Sequence, residues 1–190
     1  MLLGDIAQNR AKRRAQIPQW RAAAASDDVA AQVNLAWEYA RGDVVDLDVA
    51  TAWHWFERAA ASGQDEALVN RARFLQLRGV PEGVRELRQL AARGNWKAQF
   101  WLAQYYQWRS GRLNQLRAVV WFDRSIKNGN APAKIAKLAQ LTRIAPLKSK
   151  AIFAVKEIIE MAAMIWRMTR QEQEIDPYEP LLYRLKNKNE

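Results

Sequence analysis

Residues 31–63 read AQVNLAWEYARGDVVDLDVATAWHWFERAAASG, and residues 98–129 read AQFWLAQYYQWRSGRLNQLRAVVWFDRSIKNG. Both stretches open on Ala-Gln and place Leu-Ala four and five residues after that Ala (Leu35-Ala36, Leu102-Ala103). Tyr39 and Tyr106 fall at the eighth position after it. Trp-Phe then precedes a closing Gly by eight residues, as Trp55-Phe56 before Gly63 and Trp121-Phe122 before Gly129. A weaker copy lies between Ala67 and Gly94. It keeps Ala72, Leu87 and Leu90-Ala91 but has lost its Trp. Self-similarity at a fixed period of this length is the signature of stacked helical repeats.

Each unit reads as two helices. The first ends near Gly42, Gly79 or Gly111, where a residue tolerant of left-handed geometry serves as a cap. The second carries Ala52, Trp55, Phe56, Ala59 and Ala60 at helical spacing. Ala36, Ala72 and Ala103 let paired helices approach closely. No segment sustains the alternation of a strand between turn markers. Residues 18–32, PQWRAAAASDDVAAQ, read as the second helix of a preceding half unit. A further helix is expected around Ala133 to Leu141.

These residues resemble the Sel-one-like repeat, a relative of the tetratricopeptide repeat. The family's Leu-Gly, Tyr, Gly, Ala, Trp-Tyr and Ala-Ala positions correspond to Leu35-Ala36, Tyr39, Gly42, Ala52, Trp55-Phe56 and Ala59-Ala60. In the later unit they correspond to Leu102-Ala103, Tyr106, Gly111, Ala118 and Trp121-Phe122, with Ser125-Ile126 as a departure. The resemblance implies an all-α fold, a short superhelical solenoid of antiparallel helix pairs. Its repeats would cover about 31–66, 67–97 and 98–132 within a solenoid of residues 1–146. Residues 147–190 would form a C-terminal capping helix and tail, the helix running from about Lys148 to Gln173 with Ile152, Val155, Ile159, Ala162 and Trp166 near one face. That helix either hides the last open face of the solenoid, as terminal units must, or offers a surface for a partner helix or a second copy of the chain.

The composition removes much enzymology. The 190 residues hold 30 Lys+Arg against 20 Asp+Glu, a single His and no Cys. Disulfides, thiolate catalysis, Cys-ligated zinc and His-based metal sites are thereby excluded. His54 lies between two tryptophans on an expected helix, without a second His for metal work. Asp43, Asp46 and Asp48 crowd one loop but lack the central Gly and closing Glu of a calcium loop. No phosphate-binding glycine pattern is present. No catalytic residue, cofactor or metal is expected, and the chain reads as a non-enzyme. No uninterrupted apolar run reaches the roughly 18 residues of a membrane span. Without a secretory signal the chain reads as cytoplasmic, or periplasmic had such a signal been removed.

Binding signals are richer. In the resembled family the first helix of each unit lines the concave surface, which by position carries Trp37, Phe74, Trp101, Tyr105 and Trp108 to the groove. Trp101, Tyr105 and Trp108 form one helical stripe. The other reading packs these rings between neighbouring units as core. A basic run comprises Arg124, Lys127, Lys134, Lys137, Arg143, Lys148, Lys150 and Lys156, with no acid from Arg124 to Lys156. Such a run either is a solvated face or attracts an acidic protein, nucleic acid or anionic lipid. The expected function is a non-catalytic protein–protein interaction module, with bacterial adaptor, scaffold, chaperone or immunity-type protein as its implied forms. The alternative is a nucleic-acid-binding accessory protein that uses the basic run.

Overall fold

Polar side chains at several helix starts make one and the same bond. Asp28, Asp48 and Asn95 each accept the backbone N–H three residues on, from Ala31, Thr51 and Ala98. Each bond satisfies an amide that the first helical turn leaves without a partner. Thr51 Oγ1 also donates to Asp48 at 2.6 Å, and these two Thr51 bonds hold the Asp48 carboxyl below its ordinary pKa. The glycine closing each unit has positive φ: Gly63 at 71°, Gly94 at 90° and Gly129 at 106°. Among the described residues, Asp27, at 64°, is the non-glycine residue in that conformation. It stands where the next units carry the closing glycine.

The computed structural model describes residues 2–144, with side chains from residue 7. Among these residues are eight helices and no strand. They are α1 (Leu2–Ala25), α2 (Val29–Arg41), α3 (Val49–Ala60), α4 (Asp65–Leu77), α5 (Pro81–Ala92), α6 (Trp96–Gln107), α7 (Arg112–Lys127) and α8 (Ala133–Ile144). The chain divides into two compact units, Met1–Gly83 and Val84–Glu190. In the first unit α1 packs on α2, α2 on α3 and α3 on α4; in the second α6 packs on α7 and α7 on α8. The architecture is all-α and built of antiparallel helix pairs. The expected helix from Lys148 to Gln173 and the tail beyond it lie outside the described residues.

In the first unit Trp37 is fully buried, with Phe56 edge-on at 5.1 Å and Phe74 at 6.5 Å. Its indole N–H donates to Asn70 Oδ1 at 2.8 Å, and Asn70 in turn donates to the Glu66 carbonyl. Trp55 joins Trp20 and Tyr39 around a second cluster of Ile17, Ala24, Ala31 and Leu35. The small residues Ala36, Ala72 and Ala103 are all without exposed surface. Glu38 is buried and held by Arg13 at 2.8 Å and Arg41 at 2.6 Å. Removing one partner of such a pair costs about 3–5 kcal/mol, because the remaining charge stays out of water.

In the second unit Leu102, Ala103, Ala118 and Phe122 form the interior, and Phe100 lies 5.8 Å from Phe122. Ser125, where the repeat pattern has Ala, is fully buried. Its hydroxyl donates to the Trp96 carbonyl at 2.8 Å and accepts from Asn130 Nδ2 at 3.0 Å. Asn130 Oδ1 then accepts the Ala133 N–H at the start of α8. The departure from the pattern is thus a polar tie among the ends of α6, α7 and α8.

The Ala-Gln that opens each repeat has a structural reason. Gln32 Nε2 donates to the Ala24 carbonyl at 3.2 Å, and Gln99 Nε2 to the Ala91 carbonyl at 3.0 Å. Both amides reach back eight residues to the last turn of the preceding helix, and both side chains are buried. Gln99 also accepts from Asn128 Nδ2 at 2.9 Å. Gln99→Leu should therefore lower the unfolding free energy by about 1–3 kcal/mol and Gln32→Leu by about 1 kcal/mol. Urea titration measures both, and equal stability of the wild type and the Gln99 variant would contradict this role.

Gly83, near the start of α5, sits against the backbone of α4. A Cβ there would lie on the amide nitrogen of Gln76 and 2.5 Å from the Ala72 carbonyl oxygen. Gly→Ala inside a helix ordinarily gains up to about 1 kcal/mol. Here overpacking against rigid backbone outweighs that gain, and Gly83→Ala should destabilise by about 1–3 kcal/mol. A raised melting temperature for this variant would refute the close approach.

Candidate partner-binding surface

The aromatic residues singled out from sequence divide by burial. Trp37 and Phe74 are interior residues of the first unit, a correction to their expected place on the partner-facing surface. The reason is geometric: Phe56 lies 4.8 Å from Phe74 and 5.1 Å from Trp37, so the three rings fill one core. Trp53, on α3, stacks outside them at 6.3 Å from Phe74. Trp101 is also buried, at 8% exposure, beside Phe100. It too is corrected to a packing residue.

Tyr105 and Trp108 face outward. Tyr105 is half-buried, and the Arg109 guanidinium lies 4.4 Å from its ring centroid. Trp108 caps the end of α6 and is 56% exposed. Arg143, late on α8, approaches its ring to 5.7 Å. The fold therefore brings together a member of the aromatic set and a member of the basic set that are 35 residues apart in sequence.

Other basic residues have specific neighbours as well. Arg124 lies 4.6 Å from the Trp121 ring, and Arg117 lies 5.7 Å from Tyr106. Lys137 forms an ion pair with Asp123 at 2.5 Å. Lys127 and Lys134 are exposed. Lys148, Lys150 and Lys156 lie outside the described residues. The acidic loop is accounted for by packing: Asp48 caps α3, and Asp43 is 3.6 Å from Arg13.

Sequence reasoning missed Arg109, Arg117 and a stripe of apolar side chains on α7. Leu113, Leu116 and Val120 are all exposed there. Their spacing of i, i+3 and i+7 was readable as one helical face. What no spacing reveals is whether that face meets a neighbour or water.

A Sel1 repeat family model matches residues 29–64 and 96–130, the segments of α2 with α3 and of α6 with α7. Among solved structures, the chain is similar to a protective antigen present in uropathogenic Escherichia coli strains that displays an SLR fold. That likeness has 23% identity and a TM-score of 0.54, and covers 80% of this chain and 34% of the antigen. The chain thus spans about a third of the antigen's length, and at this identity the likeness concerns the fold alone. A Sel1 repeat protein from Oxalobacter formigenes is similar at 23% identity and a TM-score of 0.43, over 64% of this chain and 96% of that one. No curated protein sequence matches the chain. Sel1 repeats are generally protein–protein interaction modules and are typically non-catalytic. No helix among the described residues is long and apolar enough to cross a membrane. Two segments, residues 29–64 and 96–130, thus match the Sel1 repeat, in an all-α fold of helix pairs.

Proposed function

We propose that this chain is a non-catalytic interaction module of the adaptor, scaffold, chaperone or immunity type. It holds an acidic protein partner on the surface where Trp108, Tyr105, Arg109 and Arg143 converge. The observation that carries this reading is the exposed Trp108 ring with the Arg143 guanidinium over it. Trp, Tyr and Arg dominate binding hot spots, because they combine large apolar area with directed polar contact. A partner side chain can cover the indole while a neighbouring carboxylate meets the guanidinium in bidentate fashion. Arg109 over Tyr105 repeats the same combination one turn earlier on α6. The remaining basic residues supply the long-range attraction that speeds encounter with a negative surface.

The double substitution Trp108→Ala with Arg143→Glu should weaken partner binding by about 30-fold or more, the equivalent of about 2 kcal/mol at a hot spot. Folding stability should fall by less than about 1 kcal/mol, since the ring is largely in water. The measurement is affinity capture from the native organism, with wild type and variant side by side and each melted in parallel. A stoichiometric acidic protein held by the wild type and lost by the variant is the expected result. Titration with random-sequence DNA and RNA at about 0.15 M salt supplies the opposing outcome. Non-specific binding of basic proteins falls at about 10⁻⁴–10⁻⁶ M there. Micromolar nucleic-acid binding that the variant loses would replace the protein partner with nucleic acid.

A further inference from the structure

We propose that the exposed apolar stripe of α7 is a docking seat for an acidic segment of this same chain, residues 157–179. The stripe is built by Leu113, Leu116 and Val120, exposed by 71%, 44% and 50%, with Trp121 half-buried beside them. Arg117 and Arg124 flank it, and together these six side chains surround a shallow depression of about 310 Å³. Single exposed apolar residues are ordinary, but several on one helix face with a charged rim mark an interaction site. The rim has one sign. From Arg112 to Ile144 there are seven Lys/Arg and one acid, Asp123, which Lys137 already binds. An occupant must therefore join apolar residues at helical spacing with negative charge.

The chain itself supplies such a segment. It runs 46 residues past Ile144, and residues 157–179 hold six acids against Arg167 and Arg170, in a chain whose net charge is +10. Ile159, Ala162 and Trp166 stand at i, i+3 and i+7, the spacing of Leu113, Leu116 and Val120, with Glu157 and Glu160 between and beside them. Reach is no obstacle. The 12 residues between Ile144 and Glu157 extend to about 40 Å, whereas the 16 residues of α7 measure about 24 Å. A short tether also keeps the local concentration of the segment near the millimolar range, so weak complementarity suffices. The seat shares Arg124 with the basic residues that would attract a partner, but its lining contains none of Tyr105, Trp108, Arg109 or Arg143, so variants of Leu116 and Val120 test it apart from the proposed function.

The chain has no Cys, so Leu113→Cys accepts a single nitroxide at the end of the stripe. In the full-length ¹⁵N-labelled, spin-labelled chain, amide signals of residues 157–168 should be broadened. They should recover when Leu116→Asp and Val120→Asp are added, with signals of α6 and α8 unmoved. Glu157→Lys with Glu160→Lys, which leaves α7 intact, should restore them as well. Unbroadened signals in the labelled chain would overturn the proposal. So would broadening seen only when a ¹⁵N chain is mixed with a spin-labelled ¹⁴N chain, because the occupant is then a second copy.

Discussion

The closing turn between successive helix pairs is the constraint on which the fold depends. At that point a helix must end, reverse and begin again within a few residues, with every exposed backbone group satisfied. At three of these turns the chain uses one recurring set of parts, whereas Gln64 after Gly63 makes no side-chain cap. A left-handed residue (Asp27, Gly94 or Gly129) ends the helix, and an Asx side chain (Asp28, Asn95 or Asn130) caps the next one. The amide of that Asx residue bonds to the carbonyl five residues back, as Asp28 to Ala23, Asn95 to Leu90 and Asn130 to Ser125. A buried Gln then locks the first two turns from the far side. The angle between helices is thereby set locally, and the aromatic cores fill whatever space that angle leaves.

This dependence explains what the sequence made legible. Leu-Ala, Tyr and Trp-Phe recur in register because each occupies the same place against the same turn, so spacing alone sufficed to find the pairs. The opening Gln and the buried Ser125 were visible as letters but not as bonds. Their partners are main-chain carbonyls of other helices, which have no sequence signature. Gly83 is a similar case. An isolated Gly in a helix reads as a weak position, and only the α4 backbone against it shows why no side chain fits.

Sorting the aromatics required the structure for a different reason. Helical periodicity says that Trp101, Tyr105 and Trp108 share a stripe, but a stripe that runs toward the end of a helix passes from interior to solvent along its length. Trp101 lies in the middle of α6 and is buried. Trp108 lies at its cap, where the helix has run past its neighbours, and is exposed. Trp37 sits mid-helix in α2 and has no such exit. Both angle and depth along the helix matter: Tyr106, one residue past half-buried Tyr105, is buried again.

The two family-matched repeats share a scaffold yet use their polar residues differently. In the first unit Arg58 lies over Trp55 and also binds Asp27 at 2.7 Å. In the second, Arg124 lies over Trp121 in the same way, but Gly94 stands where Asp27 would be. Glu38, which draws Arg13 and Arg41 inward, has Tyr105 at the corresponding place, and Tyr105 instead carries Arg109 on its face. Each exchange trades an acid for a ring or a glycine. A guanidinium bound to a carboxylate is largely spent on internal pairing, whereas one resting on a ring keeps its donors directed to water or to a partner. At these positions the first unit pairs its guanidinium groups with carboxylates, whereas the second rests them on aromatic rings.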